Sequence, residues 1–182
     1  MRPMVSAFAV QDNTFRLTVP WSKDYLTLHE LIRFYNQLNV DWNYRLNHLH
    51  TALEQVFPEL KQLFVNRTSK LALNIVELFP HPALVTPYSR VKLKNILMAS
   101  TDKRIAKMKA YKYADRLTYL AKKSYPAVSS DAIQVDEVRY YARQLIALTR
   151  KKEEIIKRME SIAQRLPEYI LYCSFPGIGK QT

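Results

Sequence analysis

Residues 28–56 read LHELIRFYNQLNVDWNYRLNHLHTALEQV. Their apolar side chains, Leu28, Leu31, Tyr35, Leu38, Trp42, Leu46, Leu49, Leu53 and Val56, follow one another at steps of three and four. An α-helix returns one face at that interval, and the steps keep to a heptad seam with a single irregularity. Ser22 stands where an N-cap is wanted, with a hydroxyl able to accept from a first-turn N–H, and Pro58 ends the helical pattern. The helix of residues 22–57 should then run about 50 Å, at ~1.5 Å per residue.

A second seam lies nearer the C-terminus. Val135, Val138, Ala142, Leu145, Thr149, Lys152, Ile156, Met159, Ala163 and Leu166 keep the same spacing, with Leu148 and Ile155 widening the stripe where Thr149 and Lys152 weaken it. Ser130 or Asp131 serves as the cap and Pro167 as the stop, giving a helix within residues 130–167. Two seams of similar length pair either as an antiparallel hairpin or with a second chain, and the pattern alone does not choose.

Shorter helical patterns fill residues 58–129. They are 60–79, 88–99 and 101–124, the last with Thr101 as N-cap and Asp102 in the first turn. Glycine supports the all-helical expectation: the chain has 2 in 182 residues, against about 7% in ordinary proteins, so tight β-turns are scarce. The expected fold is all-α. Two long heptad-patterned helices form a coiled-coil hairpin with a basic insert of short helices between them, and the chain ends at the start of a helix–hairpin–helix-like element.

The formal charge is +12, which points to a polyanionic partner. Residues 90–123 hold eleven Lys and Arg (Arg90, Lys92, Lys94, Lys103, Arg104, Lys107, Lys109, Lys112, Arg116, Lys122, Lys123) against Asp102 and Asp115, a net of +9. Tyr111, Tyr113 and Tyr119 are interleaved. Lys and Arg neutralise phosphates, and a tyrosine ring can stack on an unpaired base. The plainer alternative is a solvated helix face. The cluster RKKEEIIKR at 150–158 contains Glu153 and Glu154 and reads as the charged flank of a coiled coil. A membrane-surface helix would need an apolar face opposite the lysines, which residues 101–123 are too polar to supply. No apolar run approaches the ~20 residues of a membrane span, and a signal-peptide core is not evident. The single Cys173 forms no internal disulfide, so the cytoplasm is the expected location.

Both glycines fall in SFPGIGKQT, residues 174–182. Pro176 fixes φ, while Gly177 and Gly179 permit positive φ and close backbone approach. A Gly–Ile–Gly turn opening a helix is the hairpin of a helix–hairpin–helix element, whose outward N–H groups suit a phosphate. Ile178 would hold the turn and Lys180 would add charge; a simple C-cap turn uses glycine in the same way. GIGKQT is not a nucleotide-binding loop, because position 174 is Ser and Gln181 separates Lys180 from Thr182.

No catalytic constellation is complete. His48 and His50 lie two apart on a helix and do not share a face; His29 and His81 are isolated. Asp136 and Glu137, and likewise Glu153 and Glu154, are adjacent and diverge. Tyr140 and Tyr141 read as packing residues, Ser129 and Ser130 as capping ones. No catalytic residue and no metal site is expected in this chain.

Three phrases in order, LNHLHTALEQVFPEL, LALNIVELFPHPALV and LPEYILYCSFPGIGKQT, make the chain resemble transposases of insertion-sequence family 110/116/902, the DEDD-type recombinases related to Piv invertases. The matching residues are Leu46, Leu49, Phe57, Pro58 and Glu59, then Phe79, Pro80 and Pro82, then Pro176, Gly177, Ile178, Gly179 and Thr182. The resemblance covers roughly residues 25–182 and implies a central region of such a protein. Residues 1–21 would end an upstream RuvC-like nuclease domain, whose acidic residues use Mg²⁺; 22–57 and 130–167 would be the coiled coil; 58–129 the basic insert; 168–182 the start of the C-terminal transposase domain. The acidic phrase and the catalytic Ser of the family would then lie outside this chain, a fragment without a cofactor of its own. The implied function is DNA transposition in a bacterial or archaeal cell, near the nucleoid, with DNA and a structured guide RNA as partners and self-association through the coiled coil. By that analogy the nucleic-acid contacts fall on Lys92, Lys94, Lys103, Arg104, Lys107, Lys109, Lys112, Arg116, Gly177, Ile178, Gly179 and Lys180. The alternative is a structural coiled-coil adaptor that binds no nucleic acid.

Overall fold

A computed structural model gives the fold and describes residues 22–64, 66, 68–100 and 105–174. Among these residues the chain is all-helical, with no strand. Six α-helices follow in order: α1 (Lys23–Val56), α2 (Lys70–Leu78), α3 (Arg90–Ala99), α4 (Lys107–Lys123), α5 (Ile133–Ala163) and α6 (Pro167–Ser174). Single 3₁₀ turns stand at Pro58–Gln62 and Pro82–Leu84.

The two long helices pack against each other within the chain and run antiparallel. Near one end, the Arg165 guanidinium donates to both oxygens of Asp24, at 2.8 and 3.3 Å. Further along, Trp42 Nε1 donates to Thr149 Oγ1 at 3.3 Å, and the His48 ring stacks on Tyr141 with centroids 5.3 Å apart. The polar interruptions of the second seam are accommodated there. Thr149 also donates to the Leu145 carbonyl, and the Lys152 ammonium lies over the rings of Tyr35 and Trp42 at 5.6 and 5.2 Å, a favourable cation–π placement.

Two apolar clusters divide this pair. Leu31, Leu38, Ile155 and Ile162 bury one another along an arm, flanked by Leu28, Tyr35, Leu148 and Met159. The larger cluster is a head. There Leu49, Leu53 and Val56 of α1 and Val138, Ala142 and Leu145 of α5 meet α2, α3 and α4. Helix α2 lies on α5, and α3 on α4. On α4 the inward face is Ala110, Ala114, Leu117, Leu120 and Ala121; its alanines permit close helix approach.

Several local expectations differ from the structure. The pattern at 60–79 is two elements. Asn66 Oδ1 accepts from both the N–H and the hydroxyl of Thr68, and Ser69 Oγ accepts from the Ala72 N–H to start α2 anew. Such short polar side chains offer the backbone an alternative to continuous helix. Helix α4 starts at Lys107 with Ala106 as N-cap; Thr101 and Asp102 lie outside the described residues. Ser22 holds the N-cap position of α1 but makes no capping bond, and α5 is preceded by Ala132, not by Ser130 or Asp131. Beyond Lys152 the buried line of α5 passes through Ile155 and Ile162, not Ile156 and Ala163. Pro167 opens α6 at its first position, where its missing N–H costs nothing, and α5 has already ended at Ala163.

Among the described residues His81 is the one buried polar side chain, 5% exposed. Its Nδ1 accepts from the Ala83 N–H at 3.1 Å, and its Nε2 meets the Val128 carbonyl at 3.2 Å. A neutral ring protonated on Nε2 satisfies both, and the residue stitches the Pro82 turn to the segment before α5. The substitution His81→Ala strands that N–H and carbonyl, for an expected loss of about 1–3 kcal/mol in urea denaturation. A loss within ~0.5 kcal/mol, the range of neutral surface changes, would show the stitch to be dispensable.

Candidate nucleic-acid interface

Helices α3 and α4 carry the basic segment. Ser89 caps α3 by accepting from the Lys92 N–H at 3.3 Å, which fixes where Arg90, Lys92 and Lys94 emerge. Arg90 reaches across to α4 and forms a two-bonded pair with Asp115, at 2.6 and 2.8 Å. The same guanidinium lies 4.7 Å from the Tyr111 ring centroid, and Lys94 lies 5.3 Å from it. Tyr111 is therefore flanked by two cations from the neighbouring helix. Lys92 turns elsewhere, over Tyr88 at 4.8 Å. Positions two apart on a helix do not share a face, so Lys92 and Lys94 do not form one surface.

On α4, Lys109, Lys112, Arg116 and Lys123 succeed one another at steps of three, four and seven, and all are exposed. That spacing sets them on a single stripe. Lys107 begins the helix outside this stripe, and Lys122 flanks it. Of the positions expected to touch nucleic acid, the structure thus gathers Lys109, Lys112 and Arg116, with Lys94 near Tyr111, and leaves Lys92 and Lys107 apart. Lys103, Arg104, Gly177, Ile178, Gly179 and Lys180 lie outside the described residues.

The electrostatics of the two halves of the molecule differ. On the arm and the faces of α2 and α5, several cations have carboxylate partners: Arg165 with Asp24, Arg143 with Glu77 at 2.7 Å, Lys151 with Glu154 at 3.1 Å, Arg139 with Asp136 at 3.4 Å, while Arg150, Lys157 and Arg158 stand on a helix that carries five acids. Among the described residues of α3 and α4, the one carboxylate is Asp115, and Arg90 holds it. The stripe on α4 remains uncompensated. Lys112 and Arg116 sit at i and i+4, where like charges oppose helix formation by ~0.2–0.5 kcal/mol. Neither α3 nor α4 has an acid in its first turn, although the helix dipole favours one there.

The Arg90 hydrogen bonds hold the Asp115 carboxyl below the usual carboxylate range and push Arg90 up. Arg165 lowers Asp24 in the same way. A carboxyl depressed on folding contributes stability that is present above its unfolded value, about 3.9, and is lost as pH falls through its folded value. Thermal melting of the wild type should therefore weaken below about pH 4, with a shallower decline in Asp115→Asn. Superimposable pH profiles for the two would refute the clasp.

Sequence reasoning did not single out the Arg90–Tyr111–Lys94 arrangement, because its members lie on different helices and no local spacing announces the contact. The described residues contain no group of three or more His, Cys, Asp or Glu able to hold a metal, and none of their helices is long and apolar enough to cross a membrane.

No known family model, curated protein or solved structure matches this chain.

Proposed function

We propose that this chain is a nucleic-acid-binding helical module of a DNA transposition system, with α4 laid along the phosphate backbone. The local charge balance carries the reading: among the described residues of α3 and α4 the one carboxylate is Asp115, taken by Arg90, whereas α5 sets its cations among Asp136, Glu137, Glu153, Glu154 and Glu160. A row of like charges at helical spacing works against the isolated fold, as residues placed for a binding partner often do, and phosphates would relieve it. The three transposase-like phrases support the DNA-transposition context. The α1–α5 pair, in this proposal, is a two-stranded coiled-coil hairpin that holds the basic head at a fixed distance from the rest of an assembly. Because its seam is filled within the chain, self-association would use another face.

A specific feature favours the adaptor alternative. Tyr25, Leu26, Ile32, Val40 and Tyr44 of α1 are large and exposed, and a protein partner could cover them. Fluorescence anisotropy separates the two readings. The purified chain should bind labelled nucleic acid saturably at low salt and release it as KCl rises. Absence of binding at low salt would leave the adaptor.

A further inference from the structure

The three tyrosines of α4 look equivalent in sequence, and the structure makes them different. Tyr113 turns inward and meets Phe64, with ring centroids 5.2 Å apart. Tyr111 has Arg90 and Lys94 over its ring. Tyr119 is 56% exposed, and among the described residues no ring or cation covers its face. On the helix its neighbours at three and four positions are Asp115, Arg116, Lys122 and Lys123, so it stands inside the cationic stripe. Two residues past Lys123, Tyr125 is 89% exposed in the segment that follows α4.

We infer that α4 and the segment after it take a single strand in preference to a duplex, with an unpaired base stacked on Tyr119 and phosphates on Lys112, Arg116 and Lys123. The inference rests on the nucleic-acid reading above and adds the class of substrate. In a duplex the bases are stacked on one another and present only their edges in the grooves, so an exposed ring on a basic face adds nothing to phosphate contacts. In a single strand each base has a free π-face, and aromatic platforms among basic side chains hold it with little sequence preference. Arg116 and Lys123 bracket Tyr119 along the helix, at about 4.5 and 6 Å of rise, so the phosphates flanking a stacked base find a cation on either side. Tyr125 offers a second platform to the next bases.

Three labelled probes of equal length test this on the whole chain: a deoxyuridine homopolymer, a uridine homopolymer, and a mixed-sequence DNA duplex, titrated by anisotropy at one salt concentration. The two single strands differ essentially at the 2′-hydroxyl, which distinguishes a DNA strand from an RNA strand as the preferred ligand. At least one of them should bind more tightly than the duplex. Tyr119→Ala should weaken that binding roughly 5- to 100-fold and leave duplex binding within about twofold, while Tyr119→Phe retains the wild-type preference. Equal binding of single strands and duplex, or an equal effect of Tyr119→Ala on both, would overturn the platform while leaving phosphate binding by α4 standing. No binding of any probe would overturn both. Circular dichroism identical to wild type keeps the Tyr119→Ala result readable.

Discussion

Replacing Lys109, Lys112 and Arg116 together by Glu should weaken nucleic-acid binding on the order of a hundredfold at about 0.1 M salt without loss of helix. These three side chains are exposed, and none reaches a carboxylate among the described residues. Their removal leaves untouched the inward face of α4, with Leu117 and Leu120 in the head core. Two glutamates at positions 112 and 116 keep the like-charge opposition with its sign reversed, so melting temperature should stay nearly constant. The control is Lys157→Glu with Arg158→Glu, two exposed cations on α5, on the arm side of the molecule. Anisotropy titrations of the three proteins decide the matter. An equal loss in the control would mean that net charge, and not the α4 stripe, attracts the ligand.

The largest effect on stability is expected at Phe57. Its ring is fully buried where α1 ends, and its N–H closes the last turn on the Leu53 carbonyl at 2.9 Å. The side chain belongs to the core that joins α1 to α2, α3 and α4. Phe57→Ala should therefore cost about 3–5 kcal/mol, which for a chain of this size lowers the melting midpoint by roughly 6–20 °C. Tyr125→Ala, at an 89% exposed side chain, should change stability by no more than ~0.5 kcal/mol. A Phe57→Ala loss below about 1 kcal/mol, the ordinary effect of a point change, would mean that the head tolerates a cavity at the foot of α1.

The long helices were legible because their information is repetitive. From Leu28 to Val56 nine side chains repeat one interval, and Pro58 follows. The observed α1 ends at Val56. Where a few polar atoms decide, the pattern misled. Asn66, Thr68 and Ser69 interrupt an otherwise continuous apolar periodicity through hydrogen bonds to their own backbone and to one another. On α5 the buried line moves to Ile155 and Ile162 after Lys152, where the cluster holds side chains of α1 and α5 alone, so the inward face there is set by the docking of α1 and not by the local repeat. The basic segment was legible as a composition, but its division into a stripe on α4, a Tyr111 cluster and an outlying Lys92 depends on how α3 docks on α4. The Arg90–Asp115 pair, 25 positions apart in sequence, left no sign in local spacing.

The most direct test is the salt dependence of binding. For the wild-type chain and for a variant with Lys109→Gln, Lys112→Gln and Arg116→Gln, log K for a labelled single strand is measured against log[KCl]. A cationic stripe that neutralises phosphates predicts a steep negative slope in the wild type, shallower in the variant by about two units, since each lost contact removes ~0.7. Identical slopes for the two proteins would contradict phosphate binding by α4.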